Sequence, residues 1–281
     1  MGFFDAISRG FSLTIASIRI AMKEPWMFVL PIISGVLLVA LFIGLLFTTL
    51  VTTAVSGMSG NSSGLVFTAG VFILYFAGYF LFYFSSAMVI FGAKERFEGR
   101  DPTINQAFSA SVGAIPKLAL LAIIGGIIGL ISNALSRKDS RGNVNIVGQI
   151  LAAIIGVSWT VISYFALPVI LTENLGVTDS FKRSMSLVQK SWGEGIVASI
   201  SLSFLTLPGI ILVIAGLFLS ASGSGIGIAI AAIGALCFLA GYIVSMPVKA
   251  IVSQALYVYA TTGNVPTGFE ADHLANFYQK K

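Results

Sequence analysis

The chain has 281 residues, of which 57% are hydrophobic and only 10% are charged. Soluble domains carry about 25% charged residues, because water must wet their surface. Sixteen Lys and Arg and eleven Asp and Glu are too few to cover a soluble particle of this length. The composition therefore excludes a soluble protein and predicts an all-helical polytopic membrane protein, with residues 1–281 forming one membrane domain.

Six apolar runs are long enough to be membrane helices, since a bilayer core of about 30 Å needs roughly 20 helical residues. None of them has an acidic or basic residue in its middle. The predicted spans are residues 26–54, 65–93, 118–135, 147–172, 196–219 and 226–248. Short connections rich in Gly, Ser and Asn pair these spans into three hairpins. Because 118–135 is short and rich in glycine, a re-entrant pair over 118–172 is the alternative.

The distribution of basic residues predicts the orientation of the chain. Thirteen of the sixteen lie in the two termini and the two long connections, and the other three lie in the loop 136–146. Positive residues are retained in the cytoplasm, so both termini are predicted to be cytoplasmic in a multi-pass plasma membrane protein. Residues 264–281 form a cytoplasmic tail in this prediction. The positive charge then indicates attraction to anionic lipid and not to nucleic acid.

Three of the polar segments carry apolar residues at helical spacing, just before a predicted span. The three stripes are Phe4, Ile7, Phe11, Ile15, Ile18 and Met22; Ile104, Ala107, Phe108, Ser111, Val112 and Ile115; and Phe181, Met185, Val188 and Trp192. Helices that are apolar on one face and basic on the other lie flat at lipid headgroups. The predicted headgroup contacts are Arg9, Arg19, Lys23, Lys182, Arg183 and Lys190, with Trp26 and Trp192 as interface anchors.

The ends of the hairpins also recur along the chain. Similar residues close each hairpin at 83–89, 164–169 and 242–248, and a glycine turn follows each at Gly99, Gly176 and Gly263. The order of these features predicts three copies of one module, an interfacial helix followed by a hairpin, over residues 1–99, 100–176 and 177–263. The turn glycines are expected to reverse the chain with φ above zero. The alternative is that six-helix proteins generally place Tyr at interfaces and Gly in loops.

This layout of six spans, amphipathic helices and repeated Gly-x-x-(Asp/Pro) turns resembles a broad group of uncharacterised prokaryotic integral membrane proteins. That group is similar to the membrane domain attached to some glycerophosphoryl diester phosphodiesterases. The resemblance covers most of the chain and implies a membrane protein, and no phosphodiesterase domain accompanies it in this sequence.

The sequence carries no motif of a hydrolase, a metalloprotease or a P-loop enzyme. Its densest ionic cluster is Glu95, Arg96, Glu98 and Arg100, which is either a headgroup or partner site or a solvated extension of the second span. The lone Cys237 and the lone histidine form no metal site. We therefore predict that the protein is not an enzyme and holds no cofactor or metal.

Small residues inside the spans predict close helix packing, either within the chain or between copies. The predicted packing residues are Gly125, Gly129, Gly148 and Gly156. Asn61 begins an Asn-Ser-Ser sequon in a predicted outer loop, so it is a glycosylation acceptor in a host that glycosylates its surface proteins.

The absence of an acidic, basic or histidine residue near the bilayer midplane disfavours an ion-coupled pump. The leading functional hypothesis is a non-enzymatic scaffold, accessory subunit or membrane-organising element. Its partners would be anionic headgroups of the bilayer, together with other membrane subunits or a second copy of the chain. The alternative is a channel or carrier for a small neutral or amphiphilic solute, without ion coupling.

Overall fold

The computed structural model of the protein describes residues 3–56, 61–136, 145–190, 205–221 and 225–270. Within these ranges all regular structure is helical, which confirms the predicted fold class at this level. In chain order the helices are α1 (Phe3–Met22), α2 (Trp26–Ser56), α3 (Asn61–Phe97), α4 (Ile104–Gly113), α5 (Ile115–Leu135), α6 (Ile146–Ser163), α7 (Ala166–Thr172), α8 (Val177–Lys190), α9 (Leu207–Ala221) and α10 (Gly225–Thr262).

Five stretches of the described chain are long and apolar enough to cross a membrane. They are Trp26–Thr48, Ala69–Phe97, Ile115–Leu135, Ile146–Thr172 and Gly225–Thr262. Each coincides with one of the predicted spans, including both spans of the 118–172 region, where a re-entrant pair was the alternative.

The sixth predicted span, 196–219, is only partly within the described residues. Its described part is α9, which has 15 residues and begins after a segment, 191–204, that lies outside the described ranges. At 1.5 Å per residue α9 is about 22 Å long, which is shorter than a bilayer core of about 30 Å. Six full spans therefore remain a prediction.

A proline interrupts the span that was predicted as one helix over 147–172. The structure has two helices there, with the break between Ser163 and Ala166. Pro168 lacks an N–H, and its ring clashes with the carbonyl four residues earlier, that of Tyr164, so the helix ends at this point. The backbone N–H of Phe165 in the break donates to the Ser184 hydroxyl oxygen at 3.0 Å. The break thus fixes the position of α8.

Helix α10 continues well beyond the predicted end of its span at residue 248. It has 38 residues and runs through Pro247 to Thr262, so it is about 57 Å long at 1.5 Å per residue. Most residues in its N-terminal half expose apolar side chains, whereas its residues from Met246 to Tyr257 are almost all buried. One helix therefore has an apolar, exposed portion of spanning length and a second portion that lies in a protein core.

The described chain forms two compact units that alternate along the sequence. The first consists of Met1–Pro31, Ser86–Phe108 and Ser186–Lys281, and the second consists of Ile32–Ser85 and Ser109–Met185. In the first unit α1 packs against α10. In the second unit α5 packs against α6. This division crosses the predicted repeat units 1–99, 100–176 and 177–263, which remain a prediction.

Each unit has its own buried apolar side chains. Those of the first unit include Leu13, Val89, Ile251, Val252 and Leu256, and those of the second include Leu118, Leu121, Phe165 and Val169. In the second unit the hydroxyls of Ser34 and Ser85 also form a hydrogen bond of 2.8 Å between α2 and α3.

Candidate functional site

Helix α1 has two apolar faces, and only one of them is buried. Leu13, Ser17 and Ile20 lie on the buried side, and α1 packs against α10. Of the stripe predicted from the sequence, Phe11 and Ile15 are exposed, Met22 is 67% exposed and Ile18 is half-buried, while the side chains of Phe4 and Ile7 lie outside the described ones. Protein packing therefore uses the face with Leu13, Ser17 and Ile20, and the side chains of Phe11, Ile15 and Met22 lie outside the protein core.

Two basic residues accompany this exposed stripe. At about 100° per residue, Arg19 lies about 70° around α1 from the centre of the stripe, and Lys23 is the first residue after the helix. Both side chains are exposed, and neither forms a salt bridge with another residue in the described ranges. The surface of α1 thus presents, in order, a protein-facing side, an apolar stripe and a basic edge.

Helix α4 also has a buried side and an exposed apolar stripe, but it has no basic residues beside the stripe. Ala107 and Ser111 are fully buried, while Ile104, Val112 and Phe108 are exposed, the last at 52%. The ten residues of α4 include no charged residue, so the exposed side opposite the core carries only amide, hydroxyl and small side chains. The predicted stripe therefore divides into a buried part and an exposed part.

Helix α8 differs from the other two because its apolar side is mostly buried. Val177, Ser184 and Val188 are buried, and the predicted stripe residue Phe181 makes an edge-to-face contact with Trp159 at 5.5 Å between ring centroids. Its cations have acidic partners: Lys182 forms a salt bridge with Asp179 at 3.3 Å.

Arg183 of α8 donates from Nε to Glu173 at 3.0 Å. Lys182 and Arg183 are thus committed to carboxylates within the second unit. The side chains of Arg9 and Lys190, and all of Trp192, lie outside the described residues, as does the side chain of Asn61. Of the six predicted headgroup contacts, Arg19 and Lys23 are the ones that the structure places on an exposed surface beside an apolar stripe.

A partly buried ionic network holds the bend between α1 and α2. Arg96 at the end of α3 donates to Glu24 through Nε at 2.9 Å and through a second guanidinium nitrogen, and it also binds Asp101. The Glu24 side chain is only 10% exposed, and that of Arg96 is 26% exposed. The Trp26 indole N–H donates to the other Glu24 oxygen at 2.8 Å. Glu24 is therefore a structural acceptor for both partners.

Trp26, which the sequence predicts as an interface anchor, is half-buried in this network. A Cβ at Gly92 of α3 would lie 2.9 Å from the Trp26 ring, so the indole packs directly on the glycine. The indole N–H of Trp26 donates to Glu24, so the carbon atoms of the ring are the part of Trp26 that is able to contact lipid. The anchor role stays a prediction.

The remaining part of the predicted ionic cluster lies at the surface. Arg100 donates to Glu95 at 2.8 Å and forms a salt bridge with Glu98. These hydrogen bonds raise the pKa of Arg100 above its ordinary value, so its charge is fixed. The cluster therefore separates into a solvated part around Arg100 and a structural part around Arg96, a division that sequence spacing did not reveal.

Two of the three predicted turn glycines adopt the expected conformation. Gly99 has φ +79° and Gly263 has φ +74°. In the second turn the residue with positive φ is Asn174, at 55°, and not Gly176. Lys117 stabilises this turn by donating from Nζ to the Asn174 backbone carbonyl oxygen at 2.9 Å and to its side-chain oxygen at 2.6 Å. Asn is tolerated there because it reaches the left-handed region more readily than most residues.

Three of the four predicted packing glycines lie against other parts of the second unit. Cβ atoms at Gly125 and Gly129 of α5 would lie 2.9 Å and 2.8 Å from the rings of Tyr79 and Tyr75 on α3. Gly148 donates its N–H to the capping Asn145 at 2.9 Å, and its Cβ position meets the end of α5. For Gly156, no described atom lies within 4 Å of a Cβ.

The tightest helix contact involves glycines that sequence reasoning missed. They are Gly209 and Gly216 on α9, and Gly227, Gly234 and Gly241 on α10. A Cβ at Gly216 would overlap the backbone of Ala231, and a Cβ at Gly234 would lie 2.5 Å from the Val213 nitrogen. The seven-residue spacing on each helix is the signal that could have found them, since positions seven apart lie on one face of paired helices.

Acidic residues of the described chain lie in ionic contacts with basic side chains. Within the described ranges no three residues of His, Cys, Asp and Glu come together as metal ligands. Glu24, Glu95 and Glu173 each have an arginine partner. Phe11 and Ile15 of α1 and Ile104 and Phe108 of α4 are among the exposed large apolar side chains of the described residues.

Five helical stretches of spanning length, in a described chain that is otherwise helical or turn, define a helical membrane protein. Residues 65–269 match the Family of unknown function (DUF6159). Because this match covers more than half of the chain, the protein belongs to that family. A comparison with curated proteins finds no match.

Proposed function

We propose that the protein is a non-enzymatic membrane scaffold, accessory subunit or membrane-organising element that contacts lipid through its short surface helices. In this proposal six spans form three hairpins, each preceded by an interfacial helix, and both termini face the cytoplasm. The observation that carries it is the surface of α1, where an exposed apolar stripe lies beside the exposed cations Arg19 and Lys23 while the opposite face is buried.

The position of α1 along the chain supports contact with headgroups. Its last residue, Met22, precedes the start of the spanning helix α2 at Trp26 by only a few residues. The network of Glu24, Arg96 and Trp26 holds the bend between the two helices. The exposed stripe is therefore kept close to the end of a span, at the depth where apolar side chains reach acyl chains and basic side chains reach phosphates.

Neutralising the basic edge of α1 tests this proposal. Each basic residue near an anionic surface contributes about 1 kcal/mol. Neutralising two of them removes about 2 kcal/mol, so we expect the double variant Arg19→Gln/Lys23→Gln to lower the preference for anionic over zwitterionic lipid by about 30-fold. The measurement is the ratio of the two lipid classes that remain with the full-length protein after purification in mild detergent, quantified by mass spectrometry.

Lys182→Gln is the matched control, because Lys182 is equally exposed but is paired with Asp179. It should leave the lipid ratio unchanged. If the double variant keeps the wild-type ratio, the assignment of headgroup contact to α1 is wrong. Protein subunits that co-purify at fixed stoichiometry would support the accessory-subunit form of the proposal.

The alternative, a channel or carrier for a small neutral or amphiphilic solute, has one observation in its favour. Tyr75, Tyr79 and Tyr83 follow one face of α3 at four-residue spacing, with at least part of each side chain buried. Phenolic hydroxyls along a span are able to bind neutral polar solutes. The close packing of Gly125 and Gly129 against two of these rings favours a structural role, so we place this function second.

A further inference from the structure

The stripes of α1 and α4 end almost at the first residue of a spanning stretch. One residue separates the end of α4 at Gly113 from the start of α5 at Ile115. Met22 ends α1, and three residues separate it from α2. An extended chain covers at most about 3.6 Å per residue, so neither stripe ends more than about 15 Å from the first residue of a span. The covalent structure thus places both stripes at a membrane surface.

Helix α4 has no electrostatic means of attachment to that surface. It contains no charged residue, and its exposed polar positions are Asn105, Gln106 and Ser109. Binding of an interfacial helix depends on buried apolar area and on attraction to anionic lipid. Only the first of these is available to Ile104, Phe108 and Val112.

A helix that binds through bulky apolar side chains alone needs gaps between headgroups to receive them. Such gaps are more frequent where the lipid layer is strongly curved, which makes this kind of binding sensitive to curvature. The burial of Ala107 and Ser111 also fixes the rotation of α4, because turning the stripe away would expose this side.

From these observations we infer that α4 is a wedge that inserts into loosely packed lipid and concentrates the protein on highly curved membrane. This inference rests on the proposed function, since it requires the short helices to lie at the membrane surface. It differs from that proposal in the lipid property recognised, which is packing and not charge.

The test uses the full-length protein with a fluorescent N-terminal tag, reconstituted into neutral phosphatidylcholine vesicles of mixed size. The quantity measured on single vesicles is the protein density per membrane area. We expect this density to rise about threefold between vesicles of about 200 nm and about 40 nm diameter. The double variant Phe108→Ser/Val112→Ser should abolish most of this rise, because it removes the two central apolar side chains.

Asn105→Ala is the matched control, since it changes an exposed polar residue of the same helix, and it should keep the full rise. A second variant, Ser109→Lys, gives α4 a charge without removing the stripe. In anionic vesicles the density of this variant should be nearly the same at all diameters, because attraction to charged lipid does not depend on vesicle size. Equal densities at all diameters for the wild type, or an unchanged rise in Phe108→Ser/Val112→Ser, would overturn the wedge.

The two proposals fail separately in these measurements. Arg19→Gln/Lys23→Gln should keep the rise in neutral vesicles, because charge plays no part there. If the anionic lipid ratio depends on Arg19 and Lys23 while protein density ignores vesicle size, the headgroup contact stands and the wedge does not. If protein density follows vesicle size while the lipid ratio ignores both cations, the wedge stands and the charge recognition does not.

Discussion

The variant Arg96→Met should lose about 2 to 3 kcal/mol of stability, because it leaves the carboxylate of Glu24 without its cation. Removing one member of a fully buried pair costs about 3 to 5 kcal/mol. We take a lower value because the Arg96 side chain is 26% exposed. Asp101, the other partner of Arg96, is largely exposed and is expected to be hydrated in the variant. The measurement is the unfolding of the purified protein in detergent, followed by heat and by denaturant.

Arg100→Met provides the matched control for this prediction. Arg100 also binds two carboxylates, but its own side chain is 54% exposed, and pairs with such an exposed member contribute at most about 0.5 to 1 kcal/mol. The double variant Glu24→Gln/Arg96→Met should regain part of the loss, because it removes the unpaired charge and keeps an acceptor for Trp26. Equal losses in Arg96→Met and Arg100→Met would show that the network contributes no more than a surface pair.

The membrane-spanning stretches were predictable because the bilayer imposes one simple requirement, an apolar helix of sufficient length. For helix α10 this requirement does not predict where the helix ends. Its extension past residue 248 packs in a protein core that includes the buried polar residues Ser253 and Gln254. Burial within protein tolerates polar groups and small side chains, so a hydropathy pattern does not mark where such a segment ends.

The candidate site was predicted in part for a related reason. Helical spacing identified the stripe of α1, but the same pattern is compatible with burial in lipid or in protein. The structure separates the two, since the face with Leu13 and Ser17 is buried and the stripe is exposed. The division depends on α10, which lies more than 200 residues away in the sequence, and a local pattern carries no information about so distant a partner.

The partners of the ionic residues could not be predicted from the sequence for the same physical reason. Arg96 and Glu24 are 72 residues apart, so only the folded chain brings them together. Nearness in sequence predicted a single ionic cluster around residues 95–100, whereas in the structure Arg96 pairs with Glu24 and Arg100 pairs with Glu95 and Glu98. The α9–α10 contact is a different case, because the seven-residue spacing of its glycines is present in the sequence. The four-residue spacing of small residues in α5 and α6 predicts the glycines of those helices instead.

Those α9–α10 glycines support the second large prediction, that Gly234→Leu disrupts the hairpin of α9 and α10. A Cβ at Gly234 would lie 2.5 Å from the Val213 backbone nitrogen, and a backbone atom is unable to rotate away as a flexible side chain does. Overpacking a tight contact costs about 1 to 3 kcal/mol, and we expect about 3 kcal/mol or more here because the helices must separate. Size-exclusion chromatography after a heating series measures this loss as a lower temperature of aggregation.

Gly44→Leu is the control, since Gly44 lies in the spanning helix α2 and no described atom lies within 4 Å of a Cβ there. It adds the same apolar side chain to a membrane helix and should leave the aggregation temperature unchanged. Gly234→Ala should fall between the two, because its single methyl group meets the backbone but requires a smaller separation. An aggregation temperature that is the same for Gly234→Leu and Gly44→Leu would mean that the α9–α10 contact contributes little to stability. Aggregation temperatures that fall in the order Gly44→Leu, Gly234→Ala and Gly234→Leu would instead show that the close approach of the two backbones stabilises the hairpin. In lipid there is no hydrophobic effect between helices, so small residues stabilise a helix contact by allowing dispersion and weak hydrogen bonding.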